Sequence, residues 1–167
     1  MGAVLTPEEV KNEDDSRIMC ELWNLMNEAT IVVSHNGDNF DIPRINSRFI
    51  INDFPPYTPV FSVDTCKVAK RQFGFSSNKL DALAGYFGIQ HKLDTNFDLW
   101  KRCMEGDEEA LSYMLEYNKM DVVILEDVYI KMRPYIKRHP NINLFMAESG
   151  DYCSCCGSKN IVELNNK

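Results

Sequence analysis

Two short segments of the chain carry residue types that can bind metal ions or activate water. The first, residues 36–41, reads NGDNFD and is rich in turn-forming residues. The second contains Tyr117 and Asp121. Because residues four apart lie on one face of a helix, the phenol and the carboxylate can point to one site.

The first segment follows a β-branched run at residues 30–34, which predicts a buried strand. A carboxylate just beyond such a strand lies where open α/β sheets place their ligands. Asp41 also directly precedes a predicted helix at residues 44–53, so an N-cap is its alternative role. Asp38 could equally be a turn residue.

The second segment continues from Asp121 into the apolar run VVIL on a predicted helix. A buried carboxylate is costly unless it is paired or binds a metal ion. The alternative is a partly exposed Asp121 at the edge of an amphipathic helix.

The elements around these segments predict an α/β fold with many helices. Both predicted strands are apolar on both faces, which is typical of a parallel sheet covered by helices, but two strands cannot form such a sheet alone. We therefore expect a polar leader at 1–15, part of an α/β domain at 16–139 and a tail at 140–167. The predicted strands are 30–34 and 59–64, and the predicted helices are 16–28 with Ser16 as N-cap, 44–53, 65–73, 79–87, 98–104, 107–116 and 117–133.

In this order the two segments resemble the second and third motifs of the DEDD 3'-5' exonucleases, in the branch whose third motif carries Tyr. Family B DNA polymerase exonuclease domains share the first pattern. Residues 77–89 (SNKLDALAGYFGI) and 99–111 (LWKRCMEGDEEAL) are similar to stand-alone exonucleases of phages and bacteria. The resemblance spans residues 18–138.

The resemblance implies a ribonuclease H-like fold and two-metal hydrolysis of a phosphodiester with Mg²⁺ or Mn²⁺. On that template Asp41 and Asp121 are metal ligands, and Tyr117 orients the attacking water. Asn36 and Phe40 line the groove for the 3' end, where Phe40 stacks on a base or packs beneath the loop. A core position is the alternative for Phe40.

The sequence departs from the family in its first motif, Asp-x-Glu at the end of an N-terminal strand. Asp64 ends a predicted strand, but no Glu follows at the required spacing, and residues 107–109 have the letters but precede the third motif on a helix. The N-terminal strands of the fold are therefore expected to be missing. A companion chain could supply them, the true start could lie upstream, or the chain could be an inactive remnant.

The C-terminal tail contains a C-x-x-C pair, Cys153 and Cys156, which is similar to the first half of a zinc ribbon. No Cys or His follows to complete a zinc site, so a reduced tail is the alternative. Clustered thiols in a chain without a signal-like N-terminus favour a reduced, intracellular protein over a disulfide framework.

Composition narrows the class of protein. The chain has 167 residues, 44% of them hydrophobic, and a net charge of −7, which fits one globular domain and excludes a basic nucleic-acid coat protein. Two basic stretches, 67–79 and 131–138, are either solvated helix faces or contacts to nucleic acid.

These observations predict a 3'-5' exonuclease that acts on nucleic acid, with the 3' end of single-stranded DNA as the expected substrate, and that needs the first acidic motif in trans. The alternative is an inactive, nuclease-derived module that binds nucleic acid or a replication protein.

Overall fold

A computed structural model describes residues 2–89, 95–145, 150, 152–153 and 158–162. In these residues the chain forms two strands and a larger number of helices. The strands are β1 (Ile31–Ser34) and β2 (Phe61–Asp64), and the helices are α1 (Pro7–Lys11), α2 (Ser16–Glu28), α3 (Asp41–Ile51), α4 (Thr65–Gln72), α5 (Leu80–Tyr86), α6 (Phe97–Met104) and α7 (Glu108–Met132), with short 3-10 turns at Arg133–Tyr135 and Ile142–Phe145.

The two strands pair in parallel, and Ser34 lies beside Asp64 at their C-terminal ends. Helix α3 makes the crossover between them. In β2 only Val63 and Asp64 are buried, and every residue of β1 is half-buried. The expectation of two buried strands is therefore wrong for β1, because in the described part of the chain its one strand neighbour is β2. This arrangement agrees with a partial α/β fold.

The main core lies between α4, α5 and α7. Leu83, Val128 and Met132 are completely buried there and pack with Ala69 of α4. Phenylalanine side chains from the segment between α4 and α5 cover one end of this core. Burial of these large apolar side chains contributes on the order of 1.5–3 kcal/mol for each of them.

Helix α7 is continuous, so the expected division into helices at 107–116 and 117–133 is wrong. Asp107 caps its start by accepting a hydrogen bond from the Ala110 amide at 3.0 Å. No Gly or Pro interrupts residues 108–132, and buried apolar residues recur along the whole length. Tyr117 and Asp121 consequently lie within a long, rigid helix.

Helices α2 and α3 form a second packed unit. Asp15 occupies the N-cap position of α2 that was expected for Ser16, and its carboxylate binds Arg48 of α3 through two 2.6 Å contacts. This pairing holds the pKa of Asp15 below its usual value. Trp23 stacks on Phe54 close by.

The predicted polar leader, residues 1–15, contains the short helix α1. Its N-cap Thr6 and Glu9 form a reciprocal capping box. Among the helices that the structure describes, each is too short or too polar to pass through a lipid bilayer.

Candidate active site

The loop between β1 and α3, here called the motif loop (residues 35–40), has a compact backbone. Asn36 adopts a left-handed conformation with φ of 62°, which asparagine tolerates better than most residues. The amides of Phe40 and Ile42 donate back to the carbonyl oxygens of Asn36 and Gly37. The loop therefore turns directly into α3 and brings Asp41 to the end of the sheet.

Asp64, at the end of β2, holds this loop. The side chain is 4% exposed. Its Oδ1 accepts hydrogen bonds from the amides of Asn36 at 2.9 Å, Cys66 at 3.0 Å and Lys67 at 3.2 Å, and Oδ2 accepts one from Asp38 at 3.4 Å. The same carboxylate thus caps α4 and fixes the loop of the neighbouring strand.

The sequence contained one signal for this role of Asp64, a strand-ending Asp directly before a helix, which is an N-cap pattern. It contained no signal for the hydrogen bonds to the motif loop, because those bonds cross 26 to 28 residues of chain.

Gly37 lies where β1 and the motif loop approach most closely. A Cβ atom added there would lie 2.4 Å from Ser34 Oγ, so a larger residue cannot fit without a shift of the backbone. The same Cβ position is 3.5 Å from Asp41 Oδ2, which places the Asp41 carboxylate beside the end of β1.

Asp41 is the first helical residue of α3, and Phe40 holds the N-cap position, so the N-cap alternative for Asp41 is wrong. The residue is exposed. Within the described ranges no hydrogen bond or ion pair to its carboxylate is found. Asp41 is thus an exposed carboxylate at the C-terminal end of a strand.

Phe40 is 48% exposed, so the core alternative for this side chain is wrong. The guanidinium of Arg44, one turn into α3, lies 3.7 Å from the centre of its ring. A cation over an aromatic face is attracted by the ring quadrupole. The role of Phe40 and Asn36 in a groove for a 3' end stays a prediction.

The side chains of Tyr117 and Asp121 interact on α7, where they lie one helical turn apart. Burial raises the pKa of Asp121, the carboxylate of Asp81 raises it further, and the Tyr117 hydroxyl partly opposes both effects. Burial and the carboxylates of Asp121 and Asp81 raise the pKa of Tyr117, so its hydroxyl remains protonated at neutral pH. The helical spacing predicted this contact correctly.

Asp81 was not singled out as a candidate from the sequence, although it lies within the stretch 77–89 that carries part of the resemblance. It lies in the first turn of α5, and α5 packs against α7. Nearby, His35 is held between Thr65 and the carbonyl oxygen of Asn78, with both ring nitrogens at 2.9 Å from an oxygen. Burial lowers its pKa, which favours the neutral imidazole.

The donors present do not complete a metal site. Throughout the part of the chain that the structure describes, no three His, Cys, Asp or Glu side chains lie close enough to hold an ion. Cys153 is half-buried, and Cys156 lies outside the described residues. Zinc at the Cys pair and Mg²⁺ or Mn²⁺ at Asp41 and Asp121 both stay predictions.

Comparison with known proteins adds one result. A profile of the RNase_H_2 family, described as RNase_H superfamily, matches residues 4–133. Neither the curated proteins nor the solved structures include a significant match. The match covers most of the chain, including the motif loop and the Tyr117–Asp121 pair. The chain therefore belongs to the RNase_H superfamily.

Proposed function

We propose that the chain is part of a metal-dependent 3'-5' exonuclease that hydrolyses phosphodiester bonds of nucleic acid, with DNA as the expected substrate. The observation that carries the proposal is the interacting Tyr117–Asp121 pair on α7. A half-buried carboxylate with a raised pKa, beside a second carboxylate, gains most when a cation arrives. The superfamily membership supports the same class of reaction.

Asp41 and Asp121 are the carboxylates that would hold Mg²⁺ or Mn²⁺, since hard cations of this kind prefer oxygen ligands. When bound, such ions activate water and stabilise the leaving oxygen. Two carboxylates do not fit a site for two ions, so no step of the reaction is assigned to metal held by this chain alone.

Tyr117 is proposed to have a positioning role that does not depend on how many ions are bound. Its protonated hydroxyl favours the ionised form of Asp121, and a hydrogen bond donated to that carboxylate would fix its direction. A displaced Asp121 would present its oxygens at the wrong angle, and small errors in geometry are costly in catalysis.

The proposal includes a source for the missing Asp-x-Glu motif, either a companion chain or a segment outside this sequence. Support comes from β1, whose residues are half-buried and which pairs only with β2 among the described residues. A further strand on the open edge of β1 would complete its hydrogen bonding and deliver carboxylates next to Asp41.

A binding module without hydrolysis is the second candidate. It is favoured by the lack of any three-residue set of metal ligands in the described residues. Such a module would bind nucleic acid with an affinity that falls steeply with salt and that survives loss of Asp41 and Asp121.

The test is Mn²⁺-dependent shortening of a 5'-labelled 20-nucleotide single strand, by the chain alone and co-expressed with candidate chains that carry Asp-x-Glu. Asp41→Asn and Asp121→Asn should each reduce the rate at least about a hundredfold, since each removes a ligand of the reacting centre. The matched control is Glu126→Gln, at an exposed residue five positions after Asp121 on α7. Hydrolysis that survives both Asp changes would contradict the proposal.

Binding of the labelled strand without any shortening, in every combination of chains, would favour the binding module instead. Shortening from the 5' end would contradict the proposed polarity.

A further inference from the structure

A basic cleft lies between α4 and the residues that follow α7, and Asp38 of the motif loop contributes to its wall. Its volume is about 520 Å³, within the roughly 300–1,000 Å³ usual for ligand pockets. Four cations contribute to its wall: Lys67 and Arg71 of α4, and Lys137 and Arg138.

Tertiary structure brings these two pairs together. Lys67 and Arg71 are four residues apart and share one face of α4. After α7 the chain turns through the short 3-10 segment, and buried Ile136 packs into the molecule. Lys137 and Arg138 are therefore held opposite α4, although more than sixty residues separate them from it.

The two carboxylates in the wall of the cleft already have partners. Asp38 accepts from Lys67 Nζ at 2.8 Å and from the Ser62 hydroxyl. Burial opposes its ionisation, but these hydrogen bonds hold the pKa of Asp38 below its usual value. Asp64 is buried and bound to backbone amides.

Within the residues that the structure describes, the other three cations, Arg71, Lys137 and Arg138, make no ion pair, and all three are exposed. Three uncompensated positive charges around one concavity are unusual in a chain whose net charge is −7. They form a local site for a ligand with several negative charges.

We propose that this cleft binds the phosphates of single-stranded nucleic acid and guides the strand toward the motif loop. The inference rests on the proposed function, because nucleic acid is the polyanion that a nuclease must hold. Asp38 belongs both to the cleft wall and to the motif loop that leads to Asp41, so the cleft adjoins the candidate active site.

The experiment measures binding by fluorescence anisotropy in EDTA, with fluorescein-labelled dT20, its RNA counterpart U20 and a polyglutamate peptide as probes. The test variant is Arg71→Gln with Lys137→Gln. The matched control is Lys70→Gln with Lys131→Gln, which removes the same charge from the same two basic stretches at exposed residues outside the cleft lining.

The test variant should bind dT20 and U20 about tenfold more weakly at low salt, and its slope of log affinity against log salt should fall by about 1.4, two contacts at about 0.7 each. The control should stay within about twofold of the unchanged chain. A difference between dT20 and U20 would identify which nucleic acid is preferred and leave the cleft assignment supported.

Equal losses in the test and control variants, no binding of dT20 and U20 by the unchanged chain, or polyglutamate binding as tight as that of dT20 would each overturn the inference. A chain that binds through the cleft but never hydrolyses would contradict the proposed exonuclease without contradicting the cleft.

Discussion

The motif loop and the Tyr117–Asp121 pair are the two parts of the proposed site, and they are held in different ways. The loop is irregular, and a carboxylate from another strand, Asp64, fixes its backbone. The pair lies within α7, where helical geometry alone places the two side chains together. One half of the site thus depends on a tertiary contact and the other half on local structure.

The two regions also differ in how their carboxylates are stabilised. Asp64 is almost completely buried and accepts hydrogen bonds from four amides. Asp121 is half-buried and lies near the like charge of Asp81, and the Tyr117 hydroxyl only partly offsets these effects, so its ionised form is disfavoured. A fully bonded carboxylate supports structure, whereas one in an unfavourable setting is typical of functional sites.

Loss of the Asp64 carboxylate should have the largest effect on stability. Asp64→Ala leaves the amides of Asn36, Cys66 and Lys67 without their acceptor, so we expect the free energy of unfolding to fall by about 2–4 kcal/mol. Urea denaturation measures the change. Asp64→Asn is the control, since its amide oxygen can replace Oδ1, and about half of that loss is expected.

A loss below about 0.5 kcal/mol for Asp64→Ala would contradict the view that the motif loop depends on this tertiary contact.

A side chain at Gly37 should disturb the loop from the opposite side. The Cβ of Gly37→Ala would overlap Ser34, so the free energy of unfolding should fall by about 1–3 kcal/mol. Thermal denaturation followed by circular dichroism measures this. Adding Ser34→Gly removes both overlapping atoms, and the double variant should be more stable than the sum of the single changes predicts. Additive losses would contradict the steric explanation.

The smallest change in stability is expected at the α7 pair. Tyr117→Phe removes the hydroxyl that opposes the raised pKa of Asp121, so the pKa of Asp121 should rise further. Carboxyl carbon NMR titration of Asp121 measures it. The free energy of unfolding should fall by about 1 kcal/mol or less at neutral pH.

The pH dependence follows from the same raised pKa. Because folded Asp121 binds its proton more tightly than the unfolded chain does, its contribution to stability is complete at low pH and is lost as the pH rises through the folded pKa. Tyr117→Phe should move that loss to higher pH, and Asp121→Asn should abolish it. An unchanged Asp121 titration in Tyr117→Phe would contradict the interaction between the Tyr117 hydroxyl and Asp121.

Much of the fold could be predicted from local sequence signals. The two strands, the helices α2 to α6 and the contact between Tyr117 and Asp121 follow from apolar periodicity and from turn residues. The division of α7 at residue 116 was wrong, because no Gly or Pro breaks the helix there. The burial of β1 was overestimated, since burial depends on neighbouring strands.

The sequence by itself determined which residues could be placed by a helical turn or by their order along a strand. It predicted the Tyr117–Asp121 pair and the position of Asp41 after β1, because both follow from distances of a few residues. Tertiary structure alone decided that Asp64 holds the motif loop and that Lys137 and Arg138 face α4 across one cleft. Contacts between residues far apart in the chain depend on how the elements pack, and local periodicity does not encode that.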